Sequence, residues 1–196
     1  MDLNQALFLD RDGTIIKDCE GVLTEDSIEF EDGLKDFLMS ALNSKFKIIM
    51  VTNQTSVSRG LTTFTEMKKV NNILIKKINY LLGKNVFNAV YICPFHPDAQ
   101  VLKYRLDSQD RKPKPGMFYQ AKKHLKINLK KSIMVGDRIS DILAGNLSEC
   151  ITVMKLNKFS NLKMIKTNLK YSHELTIPNY KVNKLKEIIP IMEKLI

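Results

Sequence analysis

Five short apolar runs, each separated from the next by a stretch of helical character, limit what this chain can fold into more than any other feature. They are "ALFL" (6–9), "KIIMV" (47–51), "NAVYIC" (88–93), "SIMVG" (132–136) and "CITVM" (150–154). Each has the length of a strand buried on both faces. Between them lie "GLKDFLMSALNSK" (33–45), "TFTEMKKVNNILIKKINYLLGK" (63–84), "PGMFYQAKKHL" (115–125) and "ISDILAGN" (139–146). In the longest, Phe64, Met67, Val70, Leu74, Ile78 and Leu81 recur at three- and four-residue steps and make one apolar stripe. Thr63 and Glu66 are spaced as a capping box at its start. This alternation predicts an α/β fold with a parallel sheet covered on both faces. At 196 residues we expect one domain, spanning 1–196.

In such sheets, sites gather at the carboxyl ends of the strands. "DRDGT" follows the first run there, "TNQTS" the second and "GDRISD" the fourth, while "RKPKPGM" opens the helix before that fourth run. Along an extended backbone Asp10 and Asp12 face one side and Arg11 the other. Two such carboxylates repel, and a divalent cation removes the repulsion. "TNQTS" offers a hydroxyl, an amide and backbone N–H groups for an anion, and "RKPKPG" adds cations. Asp137 and Asp141 lie four residues apart at a helix start. Each cluster has an ordinary alternative as a turn, a basic loop or a helix cap. Together on one rim they describe hard-metal ligands, a phosphate cradle and a cation.

Composition narrows the partners. No apolar run approaches membrane-spanning length, and "MDLNQALFLD" begins with an acid where a secretory signal has a basic region. Cys19, Cys93 and Cys150 are odd in number and widely spaced, so no disulfide framework is indicated and a cytoplasmic location is expected. The net charge of +10 raises the question of nucleic acid, but only five of the cations are Arg and the Lys residues are dispersed. We therefore expect neither a nucleic-acid partner nor a membrane.

The motifs "FLDRDGTI", "VTNQTSVSRG", "FTE", "CPFHP", "RKPKPGM" and "MVGDRISDILAG" resemble those of the haloacid dehalogenase superfamily of phosphatases. The likeness is to its short branch without a cap, which includes heptose bisphosphate and histidinol phosphate phosphatases. It implies a three-layer, Rossmann-like sandwich with a mainly parallel sheet and no large cap domain. It also implies hydrolysis of a phosphorylated sugar, most specifically the 7-phosphate of D-glycero-D-manno-heptose 1,7-bisphosphate, with histidinol phosphate or a polynucleotide 3′-phosphate as alternatives. Asp10 would be the nucleophile and Asp12 the acid/base, while Thr52 and Lys112 would hold the transferring phosphoryl group. Mg²⁺ would be held by Asp10, the backbone carbonyl of Asp12, and Asp137. Substrate contacts would come from Asp18, Cys19, Glu20, Gly21, Asn53, Gln54, Arg111 and Arg138.

One loop departs from the pattern. The branch commonly carries a structural zinc site of the form CxH…CxC before "RKP". Here only Cys93 matches: Phe95 replaces the histidine, His96 falls one position late, and Ser108 and Asp110 take the thiolate positions. No structural zinc is expected. Phe95 with Val101, Leu102 and Leu106 is the apolar cluster expected to hold the loop in its place.

Overall fold

The computed structural model describes residues 3–18, 21–157 and 171–195. Its centre is a sheet of six strands: β1 (Ala6–Leu9), β2 (Lys47–Asn53), β3 (Ala89–Cys93), β4 (Ile133–Gly136), β5 (Ile151–Lys155) and β6 (Tyr180–Val182). All pair in parallel, in the order β3-β2-β1-β4-β5-β6. Five strands match the apolar runs. β6 is an edge strand in which only Val182 is buried, so it carries no apolar run to announce it.

The helices are α1 (Leu34–Asn43), α2 (Thr55–Ser58), α3 (Phe64–Leu82), α4 (Gly116–Leu125), α5 (Ile139–Leu147) and α6 (Ile189–Glu193). Side-chain alternation along β1 divides the interior in two. Leu7 and Leu9 join a core with Phe37 and Leu38 of α1 and Leu74 and Ile78 of α3. Ala6 and Phe8 point the other way, to Met117, Phe118 and Ala121 of α4 and Ala144 of α5. Phe8 and Phe118 pack with ring centroids 4.6 Å apart. This is the expected three-layer α/β sandwich, and among the described residues there is no separate cap domain.

Helix α3 begins with the expected box: Thr63 Oγ1 accepts from Glu66 N, and Glu66 Oε2 accepts from Thr63 N. Its buried row differs from the apolar stripe. Met67, Asn71, Leu74, Ile78 and Leu82 face inward, while Val70 and Leu81 are only half-buried. An amide, Asn71, therefore occupies a position in the core row.

Candidate active site

Four sequence clusters meet at the carboxyl end of the sheet. β1 delivers Asp10, whose backbone N–H donates to Val135 O and so registers the loop on β4. β4 and the start of α5 deliver Asp137 and Asp141, and the loop before α4 delivers Lys112. Asp10, Asp137 and Asp141 are all buried, each with a carboxylate oxygen within 4.8 Å of the others. Lys112 Nζ lies 2.8 Å from Asp10 Oδ1 and 2.6 Å from Asp141 Oδ1, and it donates to Val51 O at 2.9 Å.

Three carboxylates and one ammonium leave the pocket with excess negative charge. Burial, then Asp141 and Asp10, push the Asp137 carboxyl up to about 8. Burial also raises Asp141, to about 6, against the pull of Lys112. Burial disfavours the Lys112 ammonium, yet Asp10 and Asp141 outweigh it and its pKa rises. A hard divalent cation fits this donor set, which is wholly carboxylate oxygen. Asp137 Oδ1 is buried without a hydrogen-bond partner, while Oδ2 accepts from Asn157 at 2.9 Å. An unpaired buried oxygen among like charges is what such a cation would satisfy. Gly13 lies hard against this cluster: its φ of +74° disfavours a side chain, and a Cβ there would sit 2.4 Å from Asp137 Oδ2.

The comparisons with known proteins agree with this geometry. The family described as polynucleotide kinase 3 phosphatase matches residues 5–180. The D-glycero-beta-D-manno-heptose-1,7-bisphosphate 7-phosphatase of Helicobacter pylori is 33% identical over 173 residues, 88% of this chain and 91% of that protein. The chain is a haloacid dehalogenase-type phosphatase. The enzyme of the same name from Yersinia pestis is 36% identical over 153 residues, covering 76% of this chain and 79% of that one. The crystal structure of D,D-heptose 1,7-bisphosphate phosphatase from B. bronchiseptica, complexed with magnesium and phosphate, has the same fold. It superposes with a TM-score of 0.77 at 19% identity and covers 97% of this chain and 98% of that one.

Within this phosphatase the expected site residues are placed as follows. Asp10, Lys112 and Asp137 converge, together with Asp141, whose carboxylate the resemblance had not put among the ligands. The carboxylate of Asp12 does not join them. It accepts from Arg11 Nε at 3.0 Å and Nη2 at 2.9 Å, and from Gln54 Nε2 at 3.3 Å. Arg11 therefore does not face away from the two acids, as strand alternation predicts. The chain stops being extended at Arg11, whose carbonyl accepts from the N–H groups of Thr14, Ile15 and Ile16. Burial raises the Asp12 carboxyl, with Arg11 opposing.

Asn53 and Gln54, expected against substrate, are engaged within the protein. Asn53 Nδ2 donates to Lys112 O at 2.9 Å, and Asn53 Oδ1 accepts from Lys112 N at 3.1 Å. Gln54 is buried and also donates to Thr52 Oγ1 at 2.8 Å. Arg111 Nη1 donates to Phe95 O at 3.1 Å, and Arg138 Nη2 lies 3.0 Å from Asp18 Oδ2 at the mouth. Gly21 is exposed with φ +127°, and Cys19 and Glu20 lie outside the described residues. Asn71 and Asn157 were missed. An amide inside the repeat of an amphipathic helix is the signal that marks Asn71; nothing in the sequence pairs Asn157 with Asp137.

The loop at 93–112 is held differently from expectation. Leu102 and Leu106 are 73% and 54% exposed, so they form no apolar cluster. A tight turn at Leu102–Tyr104 brings Tyr104 edge-on to Phe95 at 6.0 Å, and His96 N donates to Tyr104 O. Arg105 Nε caps Ala99 O, and Asp110 accepts from Gln120 at 2.6 Å. Burial pushes the Cys93 thiol up.

Proposed function

We propose that this phosphatase removes the 7-phosphate of a D-glycero-D-manno-heptose 1,7-bisphosphate through an aspartyl-phosphate. The substrate assignment is carried by the relatives that share a third or more of their residues with most of the chain and bear that activity in their names. The buried Asp10–Lys112 pair beside two further carboxylates supports the chemistry.

Asp10, Asp137 and Asp141 would hold Mg²⁺, with Asp12 offering its backbone carbonyl. When bound, the ion supplies positive charge that lets an anionic nucleophile approach a phosphate dianion. A carboxylate oxygen of Asp10 attacks phosphorus, and the bond from phosphorus to the sugar oxygen breaks. Asp12 gives a proton to that departing oxygen. Water then attacks the aspartyl-phosphate, Asp12 takes a proton from it, and the phosphorus–Asp10 bond breaks to restore the carboxylate. Lys112 and Thr52 steady the phosphoryl oxygens. Arg111, Arg138 and residues 18–21 would bind the rest of the substrate. We also assign the chain, as a single domain, to the cytoplasm, without structural zinc; among the described residues no helix is long and apolar enough to cross a membrane.

The polynucleotide kinase 3 phosphatase family match keeps a nucleic-acid end in the test. Phosphate release with Mg²⁺ should be compared for both anomers of the heptose bisphosphate, histidinol phosphate and a 3′-phosphorylated oligonucleotide. Highest kcat/KM on a heptose bisphosphate is expected; preference for either of the others overturns the substrate assignment.

A further inference from the structure

Asp12 is held by a relay that reaches it, through Arg11, from helix α3. Arg11, only 4% exposed, grips both carboxylate oxygens of Asp12 through Nε and Nη2. Its remaining terminal nitrogen, Nη1, donates to Asn71 Oδ1 at 2.7 Å. Asn71 is itself 2% exposed, and its amide nitrogen lies 3.0 Å from Met67 Sδ. Among the buried residues of α3 it is the polar member of a row of Met67, Leu74, Ile78 and Leu82.

An amide in such a row loses hydration, and a leucine would pack there without that cost. What Asn71 supplies instead is an acceptor at one end of a planar guanidinium. A guanidinium fixed at one end presents its other edge in one orientation, and a two-pronged grip then fixes the plane of the carboxylate it meets. Asp12 otherwise has a short side chain on a turn, with the Gln54 amide, donating at 3.3 Å, as its other side-chain hydrogen-bond partner.

We propose that Arg11 and Asn71 are positioning residues that aim the Asp12 carboxylate at the oxygen whose proton it moves. This rests on the acid/base role given to Asp12 above. Neither residue touches substrate; they act by limiting the orientations from which Asp12 can work.

The test uses the full chain with saturating Mg²⁺ and two substrates, heptose 1,7-bisphosphate and p-nitrophenyl phosphate. Single-turnover enzyme phosphorylation is measured for Asn71→Leu, Arg11→Lys and Asp12→Asn, and for Asn71→Leu placed in Asp12→Asn. A sugar oxygen needs a proton as it leaves and a nitrophenolate does not. Asn71→Leu and Arg11→Lys are therefore expected to slow phosphorylation by the sugar substrate about ten- to a hundredfold. The nitrophenyl reaction should change less than about threefold, and in the Asp12→Asn background Asn71→Leu should add nothing. Arg11→Lys keeps the charge without the fork, so it carries the test even if Asn71→Leu does not fold. Equal losses on both substrates, or an undiminished effect of Asn71→Leu without the Asp12 carboxylate, overturn the proposal. If Asp12→Asn shows the selective loss and the positioning variants do not, this inference alone falls. If Asp12→Asn shows none, the acid/base role falls and takes the inference with it.

Discussion

The ammonium of Lys112 sits 2.8 Å from Oδ1 of Asp10, and both side chains are buried. The pair joins residues 102 positions apart and fixes which oxygen of Asp10 is tethered. Lys112→Ala removes the cation from among three acids, so it should lower both rate and stability. We expect kcat to fall about 10² to 10³-fold and metal-free stability to drop by about 3 kcal/mol. Steady-state kinetics and chemical denaturation check both, and an unchanged kcat counts against the role of Lys112 at the phosphoryl group.

Asn53→Ala separates positioning from substrate contact. Its two bonds to the Lys112 peptide place Lys112, and their loss should cost about 1 to 2 kcal/mol. If positioning is its work, kcat falls by a similar factor on the heptose bisphosphate and on p-nitrophenyl phosphate. A rise in KM confined to the sugar substrate indicates direct contact instead.

Gly13→Ala places a Cβ 2.4 Å from Asp137 Oδ2, at a φ of +74° that disfavours side chains. Asp137 must shift, so Mg²⁺ should bind about ten- to a hundredfold more weakly by calorimetry, the scale of loss seen when the groups that orient a metal ligand are disturbed. Saturating metal should then restore part of the activity.

Stability without metal should decline with rising pH. Asp137 is raised to about 8 and Asp141 to about 6 in the folded protein, above their unfolded values. The folded state therefore binds more protons than the unfolded chain between about pH 4 and about pH 8, and unfolding becomes easier as pH rises through that window. Mg²⁺ competes for the same oxygens, so its affinity should strengthen over the same range. Melting temperatures measured with and without Mg²⁺ should diverge as pH rises; parallel curves contradict this.

Purified protein should retain no stoichiometric zinc. The Asp110 carboxylate accepts from Gln120, and His96 Nδ1 accepts from Asp98 N, so neither is held ready as a ligand. Metal analysis after a chelator challenge decides it: one retained equivalent whose removal unfolds the protein contradicts the expectation.

Five strands and the long helix were legible because apolar runs and a capping box are local signals. Strand β6 was not, since two of its three residues are exposed and parallel pairing to β5 is what makes it a strand. At the site, "DRDGT" and "GDRISD" placed Asp10 and Asp137 at the correct rim. Strand alternation failed at Arg11 because the turn begins one residue earlier than the pattern assumes. The Asn53–Lys112 clamp and the Asn71–Arg11 bond join residues about sixty apart. No periodicity reports such pairs, because each depends on how one layer settles on another.

The central place of β1, between β2 and β4, also bears on how competence arises during synthesis. Asp10 leaves the ribosome early, but its carboxylate partners lie at 137 and 141 and its ammonium at 112. A nascent chain that ends with β4 has Asp10 and Lys112 but lacks the other two acids of the cluster. The cluster is thus assembled only after the strands on both sides of β1 have docked. The acidic cluster marks the pairing of β4 with β1, a stage passed before β5 and β6 extend the sheet.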